Sequence, residues 1–532
     1  MANLPDYVAM AKPNPMANRA PWWKNTAQTY AGIMLWFVFW TYIPGQGGGA
    51  NGAAAGMLSC GLGTALAALV AAALICHFLF YLVPGKLGMK TGLPLYIVGT
   101  STYGVKGGFI MPGFLMGLLQ FGWLAVNGWG AGCLFTSIIK GVDPTVAAGD
   151  PMCVAIAIAW AVVAAFVGLK GIKYVAGVAT FFPIIPIVIL LLLFAKTAGG
   201  IGDFDASKIG AAAEVIPAAA VEEAAPVASE ATADEVAADA PADAPAPAAP
   251  VVEETAAAEA APVAGEATSE AASVECKPSI TLSTFGVFNF MAIYILGFFA
   301  TAGAAGCDMG TASRNSADVQ LGGLIGILGS TVFAGGLSLA IYAGAYGAGI
   351  IEYAQPVGQT TDLISGIMGG STGKIMMLLL AIAAFPSACF SALIAANSFK
   401  TTLPKVNPFI TCGLGTLAAI ILIVTKTAGD CVAIFNVIGA SFGPICGAMA
   451  ADYLLSGRKW NGPRAGFNPA GWISWFFGFV VGAFNFFPAS VTNGFVMPCP
   501  PLVALVVGFV LYFILGSIGV QSKTLEMDAV QE

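Results

Sequence analysis

Residues 36–52 read WFVFWTYIPGQGGGANG, and residues 294–315 read YILGFFATAGAAGCDMGTASRN. Each is an apolar run interrupted part-way: Pro44, Gly45, Gly47, Gly48 and Gly49 fall inside the first, and Gly303 and Gly306 precede Asp308 in the second. Lipid offers no hydrogen-bond partner to bare backbone, so an unwound stretch at membrane depth must line a cavity or be covered by protein. Counted along the chain, the two runs are five apolar segments apart. That spacing is expected of two inverted repeats of five helices, each with its first helix unwound near the midplane where solute binds. Glycine also serves close helix packing, and that alternative stays open at either position.

Outward from these runs the chain is apolar almost throughout. Of 532 residues, 58% are hydrophobic and 9% charged, whereas a soluble domain carries about a quarter charged residues. A helix crossing the ~30 Å hydrocarbon layer needs about 20 mainly apolar residues. Twelve such segments are predicted at 27–49, 57–83, 112–139, 152–170, 174–198, 281–306, 320–350, 375–397, 407–426, 430–455, 470–488 and 500–519. With the N-terminus inside, the inner loops and tails hold fifteen Lys and Arg against six outside, as the preference for cytoplasmic basic residues requires. The organisation expected is a cytoplasmic tail 1–26, a first repeat 27–198, an outer loop 199–280, a second repeat 281–455, two further helices in 456–519 and a cytoplasmic tail 520–532. The fold class is an all-α membrane protein of the cell's inner membrane.

The outer loop holds 16 of the 28 acidic residues and only Lys208 and Lys277 among basic ones. Its Ala, Pro and Glu repeats bury too little apolar surface to offset chain entropy, which predicts an extended, disordered acidic segment. The net charge of −7 therefore describes one loop rather than the whole chain. Eleven cysteines sit mostly in apolar runs and His77 is the single histidine. Zinc, haem and disulfide frameworks lack their ligand spacing, so no cofactor is expected.

The run GLLQFGWLAVNGWGAG at 117–132 places Gln120, Trp123 and Asn127 at spacings of three and four, on one helical face. Two amides in lipid would lack partners, so this face should look into protein or a cavity. A flat heteroaromatic solute suits it: the indole offers a stacking surface and the amides offer donors and acceptors. Hydrogen bonding between helices around a core tryptophan is the other reading. Asp308 is a candidate proton carrier because carboxylates inside membranes are costly; capping a half-helix or pairing with Arg314 would also explain it. His77 is expected to be satisfied between helices, and Asp452 to be an anchor near the surface.

Several stretches resemble the nucleobase:cation symporter family of cytosine permeases, purine-cytosine permeases and hydantoin transporters. They are NRAPWWKNTAQTYAGI (18–33), TGLPLYIVGTSTYGVKGG (91–108), QFGWLAVNGW (120–129), the 294–315 run, GASFGPICGAMAADYLL (439–455) and FNPAGWISWFFGFVVGAF (467–484). Pro444, Gly447, Ala451, Asp452 and Tyr453 form the most specific match. The resemblance implies a leucine-transporter-type 5+5 inverted repeat with two additional helices. It also implies a nucleobase stacked between Trp123 and Phe299, with Phe298 beside it and Gln120 and Asn127 as the ring-reading amides. In helix eight the sequence departs from the family's Thr/Asn-rich run, leaving Ser387, Ser391 and Asn397 as nearby polar side chains. Sodium-coupled relatives combine helix-eight hydroxyls with helix-one carbonyls, here from about Val38 and Thr41. Ala383 and Ala384 supply no such oxygen, and hard cations need several oxygen ligands. Proton coupling through Asp308 is therefore preferred over sodium.

The function expected is import of a small planar heterocycle by cation symport. The partners expected are that solute and the lipid bilayer, not nucleic acid, with oligomeric state left open. An amino-acid or amine transporter of the same architecture is the alternative, followed by a membrane-embedded sensor or pore. No nucleophile, base and orienter set or metal cluster suggests an enzyme.

Overall fold

Apolar segments of this length close their backbone hydrogen bonds internally, and helices result. The structure is a computed structural model that describes residues 4–35, 43, 56–142, 144–170, 175, 180–211, 282–353, 360–403 and 405–527. Among them there is no strand, only two isolated bridges. Nine helices of the described residues are long and apolar enough to cross a membrane. Eight of them are α2 (Leu62–Thr91), α3 (Phe109–Lys140), α4 (Pro151–Leu169), α5 (Ile184–Asp203), α6 (Thr284–Gly310), α7 (Ser316–Gly347), α8 (Gly370–Lys400) and α12 (Pro500–Ser517). The ninth lies within α10 (Cys431–Leu455). Three shorter apolar helices are α1 (Thr26–Met34), α9 (Pro408–Val424) and α11 (Pro469–Gly482). Val38, Thr41 and the break at 44–49 lie outside the described residues, as do residues 212–280 of the acidic segment.

The predicted interruption of segment six is absent. α6 is helical from Thr284 to Gly310, through both Gly303 and Gly306. A mid-helix glycine costs roughly 1 kcal/mol relative to alanine, and close packing offsets it here. A Cβ on Gly303 would lie 2.7 Å from the Phe80 Cβ, and one on Gly306 would lie 2.5 Å from the Tyr81 ring. Across the same seam a Cβ on Gly88 would stand 1.9 Å from the Cys307 carbonyl oxygen, and one on Gly310 would stand 2.1 Å from that of Gly85. The glycines let α2 and α6 touch backbone to backbone, the small-residue packing of membrane helices.

The interruption falls in α8 instead. Two helical stretches, Gly370–Ala383 and Phe385–Thr402, meet at Ala384. Pro386 lacks the N–H that would reach the carbonyl four residues earlier, and its ring crowds that turn. Of the acidic segment, residues 199–211 are described. α5 continues to Asp203, and after Phe204 and Asp205 a further helical turn spans Ala206–Ala211. The seat of α5 is α7, where a Cβ on Gly200 would stand 2.2 Å from the Gly344 carbonyl oxygen.

Two cores divide the interior. In the first, α3, α4, α8 and α9 pack around small residues, among them Ala125, Ala157, Ala161, Ala388, Cys389 and Ala392. The second joins α2, α6, α7 and α10 and is rich in rings, including Phe80, Tyr81, Tyr294, Phe298, Phe299 and Phe435. α3 belongs to both. It gives Phe121, Leu124 and Trp129 to the first and Met116, Trp123 and Val126 to the second.

Candidate substrate site

Because α3 sits on that border, its polar face is buried between the cores. Gln120, Trp123 and Asn127 are only 3%, 3% and 1% exposed. A cavity of about 20 Å³ lies beside Gln120 and Trp123, room for about one water molecule. Gln120, Thr301, Ser387 and Ser391 supply its polar lining; Ile33, Trp123, Phe298, Ala302, Phe390 and Ile394 supply the rest. No ionisable side chain is among them.

The Trp123 indole is held from three directions. Its centroid is 4.7 Å from that of Phe298 at an interplanar angle of 78°, and 4.7 Å from that of Phe435 at 31°. Its Nε1 donates to Thr301 Oγ1 at 3.1 Å. Phe299 does not face it. That ring packs against Tyr30, centroids 6.1 Å apart, and its edge abuts Gly303. Consecutive residues of an α-helix point about 100° apart, so Phe298 takes the place beside Trp123 that the resemblance gave to Phe299.

Asn127 and Ser387 come together away from the ring cluster. The Asn127 Nδ2 donates to Ser387 Oγ at 2.8 Å and to the Ala384 carbonyl at 3.2 Å, bridging α3 to the interruption of α8. Its Oδ1 accepts from the Trp160 indole of α4 at 2.9 Å. The amide expected to read a ring edge is thus committed to protein. Gln120 donates to the Met116 thioether at 3.5 Å, a weak acceptor, and keeps its place in the cavity wall.

Asp308 is half-buried at the C-terminal end of α6, where its Oδ1 accepts from the Leu95 N–H at 3.4 Å. It therefore meets the N-terminus of the short helix Leu95–Val98. It forms no ion pair among the described residues. Arg314 pairs with Asp318 instead, Nε to Oδ2 2.9 Å, and that hydrogen bond raises the Arg314 pKa. His77 differs from expectation. It is 1% exposed and its Nδ1 has no hydrogen-bond partner among the described residues. A π-helical stretch, Cys76–Tyr81, carries it against Gly323, where a Cβ would lie 2.6 Å from that nitrogen.

Asp452 is buried rather than superficial. Its carboxylate accepts from Arg464 Nη2 at 2.9 Å, from Tyr512 Oη at 2.8 Å, from Thr102 Oγ1 at 3.3 Å and from the Ser101 hydroxyl. Arg464 also donates from Nε to the Ser101 carbonyl at 2.7 Å. The knot ties the ends of α10 and α12 to the helix Thr100–Tyr103 and to the segment before α11.

A second hollow, about 340 Å³, is lined by Phe135, Ile156, Ala159, Trp160, Val163 and Phe385. Its indole is already used by Asn127, and Val163 is 52% exposed on the flank of α4. Of these two hollows, the smaller brings rings and unspent polar atoms together.

Chains of known structure share this architecture. An inward-facing conformation of Mhp1 superposes with a TM-score of 0.57 at 13% identity, over 98% of this chain and 97% of that one. Mhp1 in a closed conformation with bromovinylhydantoin bound, described as a nucleobase-cation-symport-1 family transporter, gives 0.56 at 13% identity over 95% and 93%. A substrate-bound, outward-open Na+-coupled sialic acid symporter gives 0.54 at 12% identity over 98% and 93%. The chain has their transporter fold. No protein-family model matches the sequence, and no curated protein matches it.

Trp160, Thr301 and Phe435 were not anticipated. A tryptophan in the middle of VAIAIAWAVVAAFVGL (154–169) was the available signal for the first, because membrane tryptophans concentrate at the interfaces. Thr301 and Phe435 carry no comparable mark.

Proposed function

We propose that the chain is a secondary active transporter that imports a small, neutral, planar heterocycle, a nucleobase or hydantoin-like ring, together with a cation. One observation carries the reading. Trp123 and Phe298 meet amide and hydroxyl groups in a wall without charge, on the border between two separately packed cores. Rings supply affinity for flat solutes, and placed polar groups choose among them because a wrong partner leaves a buried polar atom unmatched. A wall that carries no charge among the described residues disfavours amino acids, whose carboxylate and ammonium would each need a counter-charge or an open helix end. A bromovinylhydantoin-bound protein of the same fold is consistent with this solute class.

A cavity with room for one water admits no ring, so solute entry requires the cores to part on one side, as alternating access provides. Asp308 sits at the end of the helix that carries Phe298 and Thr301 and has no cationic partner among the described residues. It is the proposed proton carrier, in an inner-membrane protein with both termini in the cytoplasm. The deciding measurement is uptake into proteoliposomes with proton and sodium gradients imposed separately, and with cytosine, uracil, adenine, allantoin, hydantoin and amino acids as competitors. A proton gradient is expected to drive accumulation, heterocycles to compete and amino acids not to. Asp308→Asn should abolish gradient-driven accumulation while leaving equilibrium binding within about twofold. Competition by amino acids alone would overturn the proposal.

A further inference from the structure

Deepening that reading and resting on it, we infer that the α8 wall of the site accepts hydrogen bonds and does not donate them, so the bound ring turns an N–H or amino edge toward Ser387 and Ser391. The polarity follows from a chain of contacts in which each direction is forced. An indole nitrogen can only donate, so Trp160 Nε1 fixes its partner atom as the Asn127 oxygen, 2.9 Å away. The Asn127 nitrogen is then the atom facing α8. Its two hydrogens are spent on the Ala384 carbonyl at 3.2 Å and on Ser387 Oγ at 2.8 Å. Ser387 Oγ also lies 2.8 Å from that carbonyl, which can only accept, so the serine hydrogen goes there. One lone pair remains on Ser387 Oγ. One turn on, Ser391 Oγ donates to the Ser387 carbonyl at 3.2 Å and keeps its lone pairs. Both serines line the cavity.

Trp160 and Asn127 are thus positioning residues, acting on the solute through Ser387. Pro386 interrupts the helix beside Ala384, whose carbonyl receives both side-chain donors. The whole chain of contacts lies within three neighbouring helices, α3, α4 and α8. A ring presenting only carbonyl oxygens or unprotonated ring nitrogens to this wall would set lone pair against lone pair. Lactams, imides and aminopyrimidines fit it.

The test is competition for uptake into proteoliposomes by hydantoin, succinimide, in which one ring N–H becomes CH2, and 3-methylhydantoin, which loses the other. Wild type is expected to discriminate against at least one of the two analogues by about tenfold, the cost of a buried acceptor left unmatched. Ser387→Ala, which keeps the helix and removes the acceptor, should bring that ratio close to one. Trp160→Phe releases the Asn127 amide to turn over and should narrow the ratio, with thermal melting recorded to confirm a folded protein. A merely structural role for Trp160 would lower uptake of all three compounds alike. Equal competition by all three in wild type, or a ratio unmoved in Ser387→Ala, would overturn the inference and leave the heterocycle reading standing. Failure of hydantoin and of every nucleobase to compete would remove that reading and this inference with it.

Discussion

Two groups of buried polar side chains hold this bundle together, and they differ in what they leave over. At Asp452 an ion pair is closed on itself. Arg464, Tyr512, Ser101 and Thr102 occupy the carboxylate, both charged residues are 4% exposed, and Asn468 Nδ2 donates to the Thr102 carbonyl at 2.7 Å and to Tyr512 Oη at 3.3 Å. At Asn127 the group is neutral and ends on Ser387, which retains a lone pair in the wall of a cavity. A polar cluster that satisfies itself fixes chain segments. One that stops an atom short at a cavity prepares a place for a solute. Burial and hydrogen bonding are alike in the two; the unspent atom separates them.

The sharpest way to break the comparison is Asp452→Asn. Removing one partner of a buried ion pair leaves the other charge uncompensated, typically about 3–5 kcal/mol. Folded yield and melting temperature in detergent should fall, while uptake per folded molecule stays near wild type. Specific loss of transport in a protein of normal stability would show the Asp452 group to be functional after all.

Trp123→Ala tests the other side. Losing the ring that meets Phe298 and Phe435 should weaken uptake of every heterocycle by about 10- to 100-fold, in equal proportion, from lost apolar burial and ring contact. Apparent affinities measured across several rings would check this, and unchanged uptake would sink the stacking assignment. Gln120→Leu should do less and do it selectively. It removes donors and an acceptor from the cavity wall, so ratios between rings should shift by about tenfold while the best substrate of the variant retains near-normal uptake. The smallest effect belongs to Arg314→Ala. Its pair with Asp318 is also ionic, but only the carboxylate is buried: the Arg314 side chain is 43% exposed and that of Asp318 4%, and Asp318 Oδ1 keeps the Trp22 N–H at 3.1 Å, so the expected loss is about 1 kcal/mol. A melting temperature as depressed as that of Asp452→Asn would mean that burial of the carboxylate alone, rather than of both partners, sets the cost.

How far the site could be read from residues alone depends on the kind of signal. The spacing of Gln120, Trp123 and Asn127 placed all three on one buried helical face because α-helical periodicity is local. What each meets across the interface is not local. Phe298 and Phe299 are adjacent and chemically identical, and only the rotation of α6 against α3 brings the first to Trp123. The glycines of α6 and Pro386 of α8 carry a similar lesson. Glycine permits either an interruption or a close approach, and the Phe80 Cβ and Tyr81 ring packed at Gly303 and Gly306 show the second in use. Proline removes a donor wherever it stands, so its interruption was legible in LAIAAFPSACF (380–390) and outweighs the glycines as a helix breaker.

The sequence by itself determined that this is a multi-helix membrane protein, because the length of an apolar run and the backbone's need for hydrogen bonds in lipid are properties of each segment alone. It also marked the face of α3 that had to be covered. Tertiary structure alone decided which ring faces Trp123, that Asn127 is held by Trp160 and Ser387 instead of pointing into the cavity, and which lone pairs are left over. Those outcomes depend on rotations and separations between helices distant in the chain, where a turn of one residue or a shift of an ångström exchanges one hydrogen-bond partner for another.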